Sequence, residues 1–252
     1  MSSEPEPEPQ PHEEPPEVLE FEAAAEEEIE IVSETFSDQM QETGEGPAQE
    51  QVEEELRLRL ANRMPKYGND DDRADEIMKR CFEAFFETVE GRPNGRGGSY
   101  HINMLPTTCH VYFGSVIGAM PDGRRAGTPL SEGISPVQGA DRRGPTAVLK
   151  SAGKIDHLRT GGTLLNQKFL PHILADETGI DRLAQLVRTY FRMDGHHIQF
   201  NVVDAETLRK AQQTPDAYRD LIVRVAGYSD YFVRLSRDLQ DEIIARTEHE
   251  SF

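Results

Sequence analysis

Residues 221–232 read Leu-Ile-Val-Arg-Val-Ala-Gly-Tyr-Ser-Asp-Tyr-Phe, and one glycine, Gly227, interrupts the strand-like run. Glycine lacks a Cβ and reaches backbone conformations closed to other residues, so Gly227 alone reads as a tight strand-to-helix turn. Its Cα also has a chemistry of its own. A radical at that carbon is planar, stabilised by the amide nitrogen on one side and the carbonyl on the other, and a side chain would resist that planarity. Other reactive types are sparse. The two cysteines, Cys81 and Cys109, are too few for an iron–sulfur cluster, which takes four ligands. Their spacing and the expected compartment argue against a structural disulfide. His196 and His197 precede Asp204, but adjacent side chains in a strand point to opposite faces, so no metal site is expected. Gly91–Gly98 lacks the Gly-Lys-Ser/Thr ending of a phosphate loop. Arg124 and Arg125 suit a carboxylate or phosphate by geometry, with a solvated turn or structural ion pair as the plainer reading. No Ser/His/Asp arrangement has a local signature.

The elements that must position these residues alternate. Asp72 or a neighbour caps a helix running to about Glu90, with Ala74, Ile77, Met78, Cys81, Phe82, Phe85, Phe86 and Val89 on one buried face and Gly91 as its stop. Tyr100–Leu105 reads as a strand, and Thr107 or Thr108 caps a short helix ending near Gly118. Pro121-Asp122-Gly123 is a turn. Pro145 starts a helix to about Lys154. Thr163–Leu170 reads as a strand, and Asp181 caps a helix that ends near Gly195. Ile198, Phe200 and Val202 alternate with Gln199 and Asn201 as in a strand. Ala205–Gln213 is helical, and Ser236 caps the last helix. Alternating strands and helices imply an α/β class.

Charge divides the chain. Residues 1–55 hold 20 of the 46 acidic side chains and none of the 27 Lys and Arg, so the net charge of −19 belongs to this segment and residues 56–252 are near neutral. The opening Glu-Pro-Glu-Pro-Glu-Pro run cannot bury a core, and residues 1–55 are expected to be a disordered acidic Pro/Glu-rich tail. Within it, Glu17–Val32 offers a short helix for a partner surface as the alternative to a solvated tail. Residues 56–252 are enough for one domain. No apolar run spans a bilayer, and an acidic start is unlike a secretory signal, so a cytoplasmic protein without membrane attachment is expected. The absence of a basic excess or a nucleic-acid motif argues against a nucleic-acid partner.

Several segments in order resemble one family. They are Pro65–Asp72 (Pro-Lys-Tyr-Gly-Asn-Asp-Asp-Asp), Met120–Gly133 (Met-Pro-Asp-Gly-Arg-Arg-Ala-Gly-Thr-Pro-Leu-Ser-Glu-Gly) with Ile134-Ser135-Pro136, His196–Asp204, the Arg-Val-Ala-Gly-Tyr-Ser stretch, and Leu235–Thr247. Residues 56–252 thereby resemble the C-terminal part of the glycyl radical enzymes. The likeness is greater to the glycerol/propanediol dehydratase, choline lyase and hydroxyproline dehydratase branch than to pyruvate formate-lyase proper. The resemblance implies the C-terminal part of a ten-stranded barrel of two half-barrels, with the 221–232 loop threading toward its centre. It implies an oxygen-sensitive, anaerobic backbone radical on Gly227. Arg224, Val225, Ala226, Tyr228 and Ser229 would support the loop, and Ile134, Ser135, Pro136 and Val137 would help wall a cavity. No cofactor is implied in the chain itself. A separate radical S-adenosylmethionine activating enzyme would install the radical.

The family's mechanism relays the radical to a cysteine on an opposing loop, with an acid/base glutamate two positions later. The Pro-Thr-Thr-Cys-His context of Cys109 is unlike that Gly-Cys-x-Glu loop, and Cys81 reads as core packing. The thiyl-cysteine half is therefore missing, and the chain is not expected to act alone. Three readings stay open: the radical-bearing part of a lyase or dehydratase that pairs with an upstream-half polypeptide, a radical carrier that repairs an oxygen-damaged full-length relative, or an inactive truncated fragment.

Overall fold

Acidic residues dominate the first helix of the structure, a computed structural model that describes residues 16–43 and 49–252. Helix α1 (Pro16–Thr43) packs against α2 (Gln49–Arg63) and α3 (Asp72–Val89). Over residues 16–43 and 49–55 this differs from the expected disorder, because α1 has a partner within the chain. Val32 is buried, and Glu28 receives Arg59 at 3.5 Å and Arg63 at 3.1 Å from α2. The arginines at one end of α2 thus neutralise part of the acidic helix. Glu-Pro repeats in residues 1–15 lie outside the described residues. Among the described residues, no helix is long and apolar enough to cross a membrane.

Capping sets the other helices. Asp71 accepts a hydrogen bond from the Arg73 amide and starts α3 where its sequence predicts. The buried stripe of α3 is narrower than its apolar pattern suggests. Ala74, Phe82, Met78, Phe86 and Val89 face the core, whereas Cys81 is exposed, a correction to its reading as a core residue. Successive helical positions turn by about 100°, which swings Cys81 off the line through Phe82. Helices α4 (Cys109–Val116) and α5 (Pro145–Ala152) occur where expected, the latter with proline in its first turn. Helix α6 (Glu177–Arg192) begins before Asp181, because Asp176 caps it by accepting from the Gly179 amide at 2.7 Å. Helices α7 (Ala205–Gln213) and α8 (Arg237–Ala245) complete the set.

Strand β1 (Leu165–Phe169) runs parallel to β2 (Ile198–Val202) through the α6 crossover, and β5 (Glu248–His249) pairs in parallel on its other side. All five β1 residues are buried, as befits a strand covered on both faces. The short antiparallel pair β3 (Ile222–Arg224) and β4 (Ser229–Tyr231) forms a second sheet. Tyr100–Leu105 is not a strand; only Met104 bridges to Thr163. The Ile102 amide is diverted to the Glu90 carboxylate at 3.1 Å, which stops a ladder from forming there. Strands and helices together form a mixed α/β fold, and among the described residues its sheets are open.

Two apolar clusters result. One gathers α3, α5, β1 and α6 around Phe82, Leu149, Phe169 and Tyr190. The other packs Leu208 and Ala211 of α7 and Leu239 and Ile243 of α8 against Val223, Val225 and Phe232. The second cluster is the base on which the 221–232 segment rests.

Candidate functional site

Pairing of Ile222 with Tyr231, Val223 with Asp230 and Arg224 with Ser229 closes a hairpin over Val225–Tyr228. The Val225 amide donates to the Tyr228 carbonyl at 2.8 Å. Gly227 has φ +82°, in the left-handed region that favours glycine, and Ala226 does not share it. The glycine thus turns strand into strand, and the strand-to-helix reading is corrected: α8 begins only after a single helical turn at Phe232–Arg234. Val225 and Ala226 are buried, while Gly227, Tyr228 and Ser229 face outward. A Cβ on Gly227 would lie 3.2 Å from Leu164 Cδ1 and 3.9 Å from Leu105 Cδ1. All five residues expected around Gly227 therefore share its hairpin.

Beneath the turn lies a buried polar chain that sequence reading missed. Arg224 Nη2 and Nε donate to Gln199 Oε1 at 2.6 and 3.1 Å, and Nη1 donates to Ser229 Oγ at 3.0 Å. Asn201 grips the Arg224 backbone from both sides, accepting from its amide and donating to its carbonyl, each at 2.8 Å. Gln199 Nε2 donates to Asn166 Oδ1. Asn166 Nδ2 donates to the Val225 carbonyl at 3.2 Å and to Glu132 Oε1. Ser135 Oγ accepts from the Asn166 amide at 2.8 Å and donates to Glu132 Oε1 at 2.5 Å. Strand β2 is thereby inverted. Gln199 is 5% exposed and Val202 47%, so its polar face is the buried one. The polar residues of β2 alternate at period two, a pattern that ordinarily marks a solvated face, so the sequence pointed the other way.

The segment expected to wall a cavity is split between two roles. Gly133 must be glycine, because its φ is +54° and a Cβ there would meet the Leu164 carbonyl at 2.2 Å. The Ile134 amide then donates to that same carbonyl at 2.9 Å, so Leu164 ties this segment to the Gly227 turn. Ile134 is core, and Ser135 and Pro136 line a chamber of about 20 Å³ with Glu132, Gln167 and His249. Val137 instead lines a groove of about 850 Å³ between the end of α2, residues 138–143 and α8.

Helix α8 completes the anchor. Arg246 forks onto Glu242 at 2.7 and 3.0 Å and reaches the Arg224 carbonyl at 3.4 Å. Burial opposes ionisation of Glu242, but Arg246 outweighs it and holds the carboxyl down to about 2. Glu132 ends the other way. Burial lifts it to about 7 against the attraction of Arg246 and the bonds from Ser135 and Asn166, with Glu242 adding repulsion. Between its ordinary 4.5 and 7, the folded chain keeps a proton that the unfolded chain has released. Stability from this group therefore falls as pH rises through that window, by about 3 kcal/mol at most, and levels off above it. Burial also raises Asp141 to about 6, which acts in the same sense, and depresses His249 to about 4, which acts oppositely. Lys168, lowered to about 8 by burial, stays charged below that pH. Urea titrations of wild type against Glu132→Gln isolate Glu132. The wild-type advantage should shrink steadily from pH 4.5 to 7.5, and a pH-independent difference would show that Glu132 does not titrate there.

The remaining reactive residues stay apart. Cys81 and Cys109 are both free and exposed. His196 is exposed and His197 half-buried, and among the described residues no group of three His, Cys, Asp or Glu could hold a metal ion. Arg124 staples the Gly114, Gly118 and Thr128 carbonyls, and Arg125 pairs with Glu54 at 2.6 Å, so both are structural. Asn94 closes the Gly91–Gly98 loop on itself by accepting from the Arg96 and Gly98 amides.

Comparison with known proteins matches this geometry. A glycine radical family model covers residues 130–233, and a pyruvate formate lyase-like model covers residues 25–114, so the likeness begins inside the acidic segment rather than at Leu56. The chain is 61% identical over 189 residues to the trans-4-hydroxy-L-proline dehydratase of Clostridioides difficile, across 75% of this chain and 24% of that protein. It is 48% identical over 204 residues to the probable dehydratase YbiW of Escherichia coli K12, across 78% of this chain and 25% of that protein. The crystal structure of hydroxyproline dehydratase from Clostridioides difficile with trans-4-hydroxy-L-proline bound superposes with a TM-score of 0.76 at 53% identity, over 88% of this chain and 27% of that one. The glycerol-bound form of the B12-independent glycerol dehydratase from Clostridium butyricum gives 0.76 at 45% identity, over 79% and 25%. The chain spans about a quarter of the length of these relatives. With its glycine-bearing hairpin inside the matched radical segment, the chain belongs to the glycyl radical enzyme family, in the pyruvate formate-lyase-like dehydratase branch, and corresponds to its C-terminal part.

Proposed function

We propose that Gly227 stores an unpaired electron on its Cα and that this chain is the radical-bearing domain of a dehydratase. The observation that carries the reading is Gly227 itself, held at φ +82° on a hairpin whose neighbouring backbone is clamped by Asn201, Asn166 and Arg246. A radical S-adenosylmethionine activating enzyme removes one hydrogen atom from the Gly227 Cα. A cysteine outside this chain then returns a hydrogen atom to Gly227 and becomes the thiyl species that attacks substrate. Arg224 anchors the strand, and Tyr228 and Ser229 shape the loop. No cofactor stays bound in the chain, and the setting is cytoplasmic and anaerobic. Identity of 61% to trans-4-hydroxy-L-proline dehydratase favours loss of water from a hydroxylated substrate over carbon–carbon cleavage.

The surface supports a missing counterpart. Tyr112 and Val116 of α4 are 66% and 64% exposed, beside exposed Phe113, Ile117 and Met120. Leu105 and Tyr228 are exposed next to Gly227. Exposed apolar side chains concentrated on one short helix in this way mark an interface. Its occupant is the cysteine-bearing remainder of a ten-stranded barrel. The test is anaerobic activation with and without a full-length relative. Electron paramagnetic resonance should show a glycyl doublet, and admitting oxygen should remove the piece from Gly227 onward by intact mass. Folded protein that stays silent under every combination overturns the proposal.

A further inference from the structure

We infer that Asn166 and Glu132 are positioning residues that fix the backbone of the Val225–Tyr228 turn, acting as one unit with Ser135. The unit draws on segments far apart in the chain. Asn166 sits on the central strand, and its two amide hydrogens are divided between the Val225 carbonyl and Glu132 Oε1. A free asparagine amide can rotate, so a partner must hold it. Glu132 Oε1 does so on the Nδ2 side, and Gln199 Nε2 does so on the Oδ1 side. Ser135 locks Glu132 in turn, and its hydroxyl is oriented by the Asn166 amide, which leaves its hydrogen free to donate. Every member is buried, and networks of this kind specify one arrangement when all members are satisfied. One atom is not: Glu132 Oε2 is buried without a partner, on a residue lining the chamber shared with Gln167 and His249. An anionic oxygen left so would carry the full cost of desolvation, whereas a neutral carboxyl places its proton there. The unit therefore works with Glu132 in its neutral form, accepting through Oε1 from both neighbours. Val225 is two residues from Gly227, so the unit sets the orientation of the peptide planes that lead into the glycine.

The meaning of this unit rests on the reading of Gly227 as the radical carrier, but its test does not. Residue-resolved hydrogen exchange by nuclear magnetic resonance follows the Val225 amide, with amides of α5 and α6 as internal references. Asn166→Ala should raise exchange at Val225 by roughly tenfold and leave the references unchanged, because the loss is one buried hydrogen-bond anchor. Glu132→Leu should do the same. Glu132→Gln, which retains the Oε1 acceptor and a neutral head, should restore protection, and a merely structural cavity effect would not distinguish the two. Should Asn166→Ala fail to fold, Ser135→Ala carries the test: a selective rise at Val225 supports the unit. Unchanged exchange at Val225, or a uniform rise across all amides, overturns it. Radical formation read separately on the wild type shows whether the parent reading stands.

Discussion

Gly227→Ala should yield folded protein that gives no glycyl doublet after anaerobic activation. The fold survives because the clash is small. A new Cβ would meet the tip of the Leu164 side chain at 3.2 Å, and a leucine tip can give by a few tenths of an ångström. The backbone strain is larger, since alanine at φ +82° pays the left-handed penalty of about 1–2 kcal/mol. Against a net stability on the order of 10 kcal/mol, that leaves the domain folded. Radical storage fails for a different reason. The alanine methyl group crowds the planar geometry between amide and carbonyl, and a radical formed there would have no remaining α-hydrogen to split its signal into the glycyl doublet. A thermal melt alongside the resonance spectrum separates the two effects. A persistent backbone radical in the folded variant would remove Gly227 as its site.

Arg246→Leu should be the most destabilising single change among the residues around the hairpin, by about 3–5 kcal/mol. The guanidinium is buried against Glu242, and its fork of two bonds is what keeps that carboxylate ionised inside the fold. Removal strands a buried charge. The remaining contacts of Glu242 are Gln138 at 2.9 Å and His110 at 3.5 Å, which are weaker substitutes. The Arg224 carbonyl also loses a donor, so the hairpin loosens with the helix. The double variant Arg246→Leu with Glu242→Leu should recover much of the loss, because a well-packed apolar pair replaces a buried ion pair at little cost. Urea unfolding of both variants checks this. A loss below about 1 kcal/mol for the single variant would show that water reaches Glu242 and that the pair is not an anchor.

Much of the local structure was legible in the chain. Helix α3 with its Asp71 cap, α7 and strand β2 were expected to within a few residues, since caps, periodicity and β-branched runs act over short spans. The glycine turn was legible because one residue type at one position carries it, but the strand that follows it was not, and the turn read as strand-to-helix. The limits are equally particular. Tyr100–Leu105 looks like a strand, yet Glu90 takes the Ile102 amide that a ladder would need. Cys81 fits the apolar spacing of α3 but falls outside its buried stripe. Residues 16–43 look too acidic to fold, yet Arg59 and Arg63 supply the opposite charge.

From sequence alone came the family, carried by several short segments in order, and Gly227 with the residues beside it, which sit in one continuous stretch. Tertiary structure alone decided what holds that stretch in place. Glu132, Asn166 and Arg246 meet across separations of 34 residues for Glu132 to Asn166 and 22 for Arg246 to Arg224, and Gln138 reaches Glu242 across 104. Nothing in the local pattern of a glutamate, an asparagine or a glutamine reports whether it will be solvated or buried. Burial is set by which elements pack together, and in β2 that packing turned the polar face inward toward the hairpin.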